Sequence, residues 1–134
     1  MEVTDIYQLP AAECGTGIKR AIRLVASPET TGEERIMIVH VVVPPLGISE
    51  GHTHPYSSEY IMFSIPGKAV LDGKEFDVPR MGVVHAKPGV LHECRNTSDT
   101  EALELYCVFT PPFEPYGIYP DLIAKSNAHL QGQA

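Results

Sequence analysis

The sequence predicts an all-β fold, a sandwich or a barrel built from short strands. Apolar runs rich in Val, Ile, Tyr and Phe recur along the chain, with turn signals roughly every 8–12 residues. Glycine and proline are frequent, at 11 and 12 residues, so each element is expected to be short. Only residues 119–127, YPDLIAKSN, carry a helical pattern, with Pro120 suited to a first turn.

Residues 1–17 have no clear period and read as an extended arm or an outer strand. Residues 18–26 mix apolar and basic positions in a strand-like pattern, and 27–34, SPETTGEE, read as a loop. Residues 35–43, RIMIVHVVV, are almost continuously apolar and β-branched, the pattern of a strand covered on both faces. Pro44 and Pro45 stop it, and 46–51 read as a loop. Residues 60–65 form the next strand. Residues 68–71 and 74–78 flank Asp72-Gly73, a dipeptide suited to a two-residue hairpin turn. Short strands at 83–86 and 102–109 complete the set, and 131–134 are expected to fray. No linker or repeat interrupts the chain. It reads as one domain over 1–134, with an N-terminal arm 1–17, a barrel core of about 18–112 and a C-terminal tail 113–134.

Composition narrows the functional classes. With 134 residues, 43% hydrophobic and 20% charged, the chain has the balance of a soluble globular domain. A formal charge of -7 argues against nucleic acid as a partner, because phosphate binding needs a basic surface. No apolar run is long enough for a membrane helix, and the acidic start lacks the basic and apolar regions of a secretory signal. Three cysteines, Cys14, Cys94 and Cys107, make a disulfide framework improbable and suggest a reducing, cytoplasmic setting.

Four of the six histidines carry the chemistry: His52, His54, His85 and His92. The pair in His52-Thr53-His54 falls on one face of an extended segment, since strand side chains repeat every two residues. Glu59 opens the following apolar strand. It shares parity with Ile61 and Phe63, so it points inward if they do, and a buried carboxylate needs a partner. His92 follows the Pro88-Gly89 turn. Three imidazoles and a carboxylate suit one divalent transition metal such as Fe, Mn, Ni, Cu or Zn. Four protein ligands in an octahedral field leave two positions for water or substrate.

Gly47…His52-x-His54-x4-Glu59-x7-Gly67 and Gly82…Pro88-Gly89-x2-His92-x3-Asn96 resemble the two motifs of the cupin superfamily. The departures are one residue fewer between Gly47 and His52, one more before Gly67, and Pro88 directly before Gly89; all fall in turns or loops. The resemblance implies a double-stranded β-helix, or jelly-roll, barrel, to which the helical pattern at 119–127 adds a short C-terminal helix. It also implies His52, His54, Glu59 and His92 as ligands of one metal, and a homodimer, often made through N-terminal strands.

Around that set, His85 is either an extra base lining the cavity or a surface residue. Ile61, Phe63, Val84 and Tyr106 are candidate cavity walls, with Tyr106 and Cys107 on opposite faces of their strand. Cys94 shares a face with His92 and reads as an apolar filler. Asn96 reads as a backbone brace, His40 as structural or interfacial, and Tyr56 and Tyr60 as flanks of the cavity mouth. Arg35, Arg80 and Arg95 are candidates for an anion clamp, each otherwise a surface residue.

Two functions of different class fit. The first is a metalloenzyme acting on a small organic molecule, of dioxygenase type or of isomerase or cyclase type, with His85 moving the proton in the latter. The second is a binding or sensor module that holds a small ligand without turnover. Fold alone does not choose between them.

Overall fold

The chain's short apolar runs become ten strands in two antiparallel sheets, with one 3-10 turn and one α-helix, in a computed structural model that describes residues 3–132. Met1, Glu2, Gln133 and Ala134, at the outer ends of the expected arm and frayed tail, lie outside the described residues.

The elements, in order, are the 3-10 turn Ile6–Gln8, β1 (Ala11–Cys14), β2 (Arg20–Ala26), β3 (Met37–Val43), β4 (Ile48–His52) and β5 (Ser58–Phe63). Then come β6 (Gly67–Leu71), β7 (Lys74–Val78), β8 (Val83–Ala86), β9 (His92–Arg95), β10 (Leu103–Thr110) and the helix α1 (Tyr119–Gln131). One sheet has six strands in the order β1-β2-β3-β10-β5-β8, and the other has four in the order β4-β9-β6-β7.

The core lies between the sheets because each long strand alternates. In β10, Leu103, Leu105, Cys107 and Phe109 are buried while the residues between them are only partly covered. In β3, Met37, Val39, Val41 and Val43 face inward. The opposite face of β3 is covered as well, since His40 is 1% exposed beneath Tyr7 and Tyr106. Phe63 and Leu103 are fully enclosed, each worth roughly 1.5–3 kcal/mol of transfer free energy.

The expected loop at 46–51 is a strand over most of its length. β4, sequence ISEGH, has little β propensity of its own and is set by pairing with β9, Ile48 opposite Arg95 and Ser49 opposite Cys94. At the hairpin, Asp72 and Gly73 take φ of 48° and 82°, the two positive values that a type I′ turn requires. α1 runs four residues beyond the expected 119–127 and holds the 27–31 turn through an Asn127 Nδ2 bond to the Glu29 carbonyl, at 3.1 Å. Its Leu122 is fully buried in the main core. Among the described residues, no helix is long and apolar enough to cross a membrane.

Candidate metal centre

The two sheets contribute to one site at the cavity end of the core. His52 closes β4 and His92 opens β9, and the two are cross-strand partners with ring centroids 4.3 Å apart. A register shift between Ser49 and His52 marks a bulge, a device that re-aims a side chain beside a site. Glu59 reaches in from β5 of the other sheet, where it is paired with Phe109 and Ala86. His54 lies just after β4, stacked on Phe113 at 4.9 Å and edge-on to Phe109 at 4.9 Å. Its carbonyl accepts a bond from the Gly89 amide at 2.9 Å, which ties the two ligand-bearing segments together. Gly89 has φ of 82°, so the turn before His92 favours the residue that lacks a Cβ.

His52, His54, Glu59 and His92 each offer a ligand atom, all within 4.8 Å of one another. Glu59 Oε1 lies 2.7 Å from His92 Nε2, 3.5 Å from His54 Nε2 and 3.7 Å from His52 Nε2. The other ring nitrogens are spoken for: His52 Nδ1 is 2.9 Å from the Glu50 carbonyl and His92 Nδ1 is 3.0 Å from the Val90 carbonyl. A carbonyl only accepts, so each Nδ1 carries its proton, and a neutral ring then presents a bare lone pair at Nε2. Those lone pairs converge on an acceptor-only carboxylate, and the buried His54 Nε2 has no hydrogen-bond partner. A cation among them resolves the conflict, and anchored Nδ1–H groups are the usual outer support of histidine ligands. The donor set therefore fits a divalent transition metal.

The electrostatics agree in direction. Burial by itself raises the Glu59 carboxyl, but the three imidazoles of His52, His54 and His92 gathered on it outweigh this and hold the group well below the usual carboxylate range. Burial pulls His92 down, and the Glu59 carboxylate beside it more than reverses this.

The centre opens into a cavity of about 270 Å³. Its apolar wall includes Ile22, Val39, Val41, Ile61 and Phe109, and Ile118 and Tyr119 enter from the start of α1. Burial raises the Tyr119 hydroxyl far above its ordinary value, so it stays protonated. Of the expected wall residues, only Ile61 lies on the cavity. Phe63 is enclosed in the core further along β5. Val84, beside Ile61 in register, is buried and borders a separate shallow groove with Phe76 and Val78. Tyr106 faces outward onto His40, and Cys107 takes the inward position.

His85 is also placed elsewhere. It is exposed on the outer face of β8, stacked on Tyr60 at 4.3 Å, so a proton-transfer role in this cavity is corrected to a surface one. Tyr60 is therefore on the outer face with it, away from the mouth. Asn96 braces backbone, contacting the carbonyls of Val43, Pro44 and Glu101 at 2.8–3.1 Å. Arg95 is occupied by Glu93 and Glu75, and neither Arg35 nor Arg80 lies on the cavity wall. Arg20 does lie there, a residue the sequence reading passed over. The signal was its period-two parity with the inward Ile22 and Leu24.

No protein-family model matches the sequence, and no curated protein matches it. Solved structures do resemble the fold. A predicted oxalate decarboxylase from Thermotoga maritima superposes with a TM-score of 0.71 at 17% identity, over 82% of this chain and 99% of that one. An RmlC-like cupin from Shewanella frigidimarina gives 0.65 at 13% identity, over 84% and 92%. A cupin-2 domain from Rhodospirillum rubrum gives 0.63 at 16% identity, over 92% and 85%. The fold is thus the double-stranded β-helix of the cupins. Within it, this chain carries a three-histidine, one-glutamate group able to hold a metal ion.

Proposed function

We propose that the protein is a mononuclear divalent-metal enzyme acting on a small organic molecule inside the barrel. The observation that supports this most directly is the convergence of the histidine Nε2 atoms on the buried Glu59 carboxylate, with a cavity of about 270 Å³ beside them. The volume lies just under the usual range for drug-sized ligands, which suits a small substrate. When bound, a divalent metal supplies Lewis acidity toward a carbonyl or enolate oxygen, and iron in addition supplies one-electron chemistry with O2.

The chain's own residues bind, orient and exclude water. Ile22, Val39, Val41, Ile61 and Phe109 hold the apolar part of the substrate away from solvent. Tyr119, kept protonated, acts as a hydrogen-bond donor. Glu50 remains ionised because the Thr16 amide and hydroxyl hold its carboxyl below the ordinary value, so it places a second negative charge on the cavity wall beside the metal group. Isomerase or cyclase chemistry and dioxygenase chemistry both use this arrangement, and the metal found selects between them.

The protein is further proposed to act as a cytoplasmic homodimer. β1 ends the six-stranded sheet with an open edge, and Tyr60 and Val83 expose apolar surface on the face of β5 and β8. A monomer in dilute solution scattering overturns the dimer.

Elemental analysis of untagged protein tests the metal centre, beside a His52→Ala/His92→Ala double variant checked for folding by circular dichroism. About one equivalent of metal in the wild type, lost in the folded variant, is expected. No metal in the wild type after reconstitution overturns the reading. Stoichiometric metal without turnover on carbonyl, diketone or aromatic substrates leaves a binding module in its place.

A further inference from the structure

The cavity wall holds a cation that the metal centre does not use. Arg20 is the first residue of β2 and lines the same cavity as His52, His54, Glu59 and His92. Its Nε and Nη1 are buried, and neither has a hydrogen-bond partner. An ionised donor left unmade in a buried position is costly, and it is rare in a settled structure unless something else fills the place.

The chain's own carboxylates do not fill it. Glu50 is the nearest candidate: a Cβ placed on Gly15 would lie 3.1 Å from Arg20 Nη1 and 3.3 Å from Glu50 Oε1. Yet Glu50 Oε1 is taken by the Thr16 amide at 2.5 Å and the Thr16 hydroxyl at 2.9 Å, and Arg20 acts on it only through space, with no hydrogen bond to it from Arg20 Nε or Nη1. Glu59 belongs to the histidine cluster. Of the other groups near Arg20, Tyr116 is neutral, its hydroxyl raised chiefly by burial, and half-exposed at the cavity edge.

We propose that Arg20 receives a carboxylate group of the ligand, so that the cavity takes small organic monocarboxylates. The proposal rests on the reading of this cavity as the substrate site. A guanidinium matches a planar carboxylate through paired N–H bonds, while Ile22, Val39 and Phe109 take the apolar remainder. The charge count sets the valence of the ligand. Arg20 is the one arginine or lysine on a wall that also carries Glu50 and Glu59, and with a divalent cation held by the histidine group the site has one net positive charge, which matches a monocarboxylate better than a phosphate dianion.

Titration calorimetry with acetate, pyruvate and benzoate, each beside its neutral amide, tests this on wild-type protein, both metal-loaded and chelator-treated. At least one carboxylate should bind about tenfold to a hundredfold tighter than its amide, the ratio expected of a charge-assisted bond. Arg20→Gln should remove that preference and leave metal content and melting temperature unlowered, whereas Arg20→Lys should keep part of it. Glu50→Gln retains an acceptor for Thr16 and should strengthen carboxylate binding, an effect that a purely structural Arg20 would not produce. Equal affinities for acid and amide, tighter binding of inorganic phosphate, or no carboxylate binding below about 10 mM overturns the proposal. Selectivity in a wild type that holds no metal overturns only the metal reading, and metal without selectivity overturns only the assignment of Arg20.

Discussion

His92 lies between two acceptors: its Nδ1 is 3.0 Å from the Val90 carbonyl and its Nε2 is 2.7 Å from Glu59 Oε1. Both bonds can be made only by an imidazolium, or by a neutral ring whose Nε2 lone pair meets a metal shared with the carboxylate. A metal present at a hundred times its Kd adds about 2.7 kcal/mol of stability. Chelation should therefore lower the melting temperature of the wild type by several degrees. Glu59→Gln keeps the shape of the site but removes its charge. It should hold less metal and show little or no chelator effect, as read by thermal melts with and without EDTA.

Phe113 supports the centre without touching the metal. It stacks on His54 at 4.9 Å and an interplanar angle of 24°, while Phe109 meets the same ring edge-on. His52 and His92 are aimed by carbonyls at their Nδ1 atoms, whereas His54 is held between the Phe109 and Phe113 rings, so its orientation depends on them. Phe113→Ala should weaken metal affinity about tenfold, the lower end of what loss of an outer support costs, with fold retained. Competition with a chromophoric chelator measures it. An unchanged affinity would show that the loop backbone alone aims His54.

Much of this site was legible in advance, and the misses have physical reasons. His52, His54, Glu59 and His92 stand out because ligand spacing survives in the sequence even where the turns between them vary. β4 was hidden because ISEGH forms a strand only through its pairing with β9. Tyr106 was misplaced although Glu104, two residues before it, already favoured an outward face for both. In β8, four residues are too few for parity to decide, and the exposed pair Val83 and His85 proved to be the outer one. Arg20 was overlooked because a basic residue at a strand start resembles surface, and its inward turn depends on a cavity that only the fold creates.

A second polar cluster sets an acid limb to stability. On the outer face of β3 and β10, Glu104 Oε1 accepts from the Tyr7 hydroxyl and lies 2.9 Å from His40 Nε2. The Tyr7 bond is the main reason that the Glu104 carboxyl sits below its ordinary value of 4.5, with His40 adding to it against the cost of burial. Its folded value is below its unfolded one. The stabilisation is therefore complete above about pH 4.5 and is lost as pH falls through the folded value. Tyr7 mirrors this on the alkaline side: its hydroxyl is pushed up to about 12, so its contribution is whole below pH 10 and is lost toward pH 12. Glu104→Gln should cost about 0.5–1 kcal/mol at pH 7, held to that range because the group is partly solvated, and less at pH 3. Urea unfolding at the two pH values checks it, and an equal loss at both would assign the effect to packing.

Asn96 offers a separate test of what the second motif contributes beyond a metal ligand. Its side-chain amide contacts the Val43, Pro44 and Glu101 carbonyls, and its Oδ1 accepts from the Ser98 amide at 3.0 Å. It thereby joins the end of β3 to the chain leaving β9, at a residue that is 3% exposed. Asn96→Ala removes these bonds at a buried position, although the Pro44 carbonyl keeps the Gly47 amide at 2.9 Å, and each buried polar group left unmade costs about 1–3 kcal/mol. The variant should unfold at distinctly lower urea than the wild type. Metal affinity in the folded fraction should change little, because none of these bonds reaches His52, His54, Glu59 or His92. A large fall in metal affinity with unchanged stability would reverse that assignment and make Asn96 a positioning residue for His92.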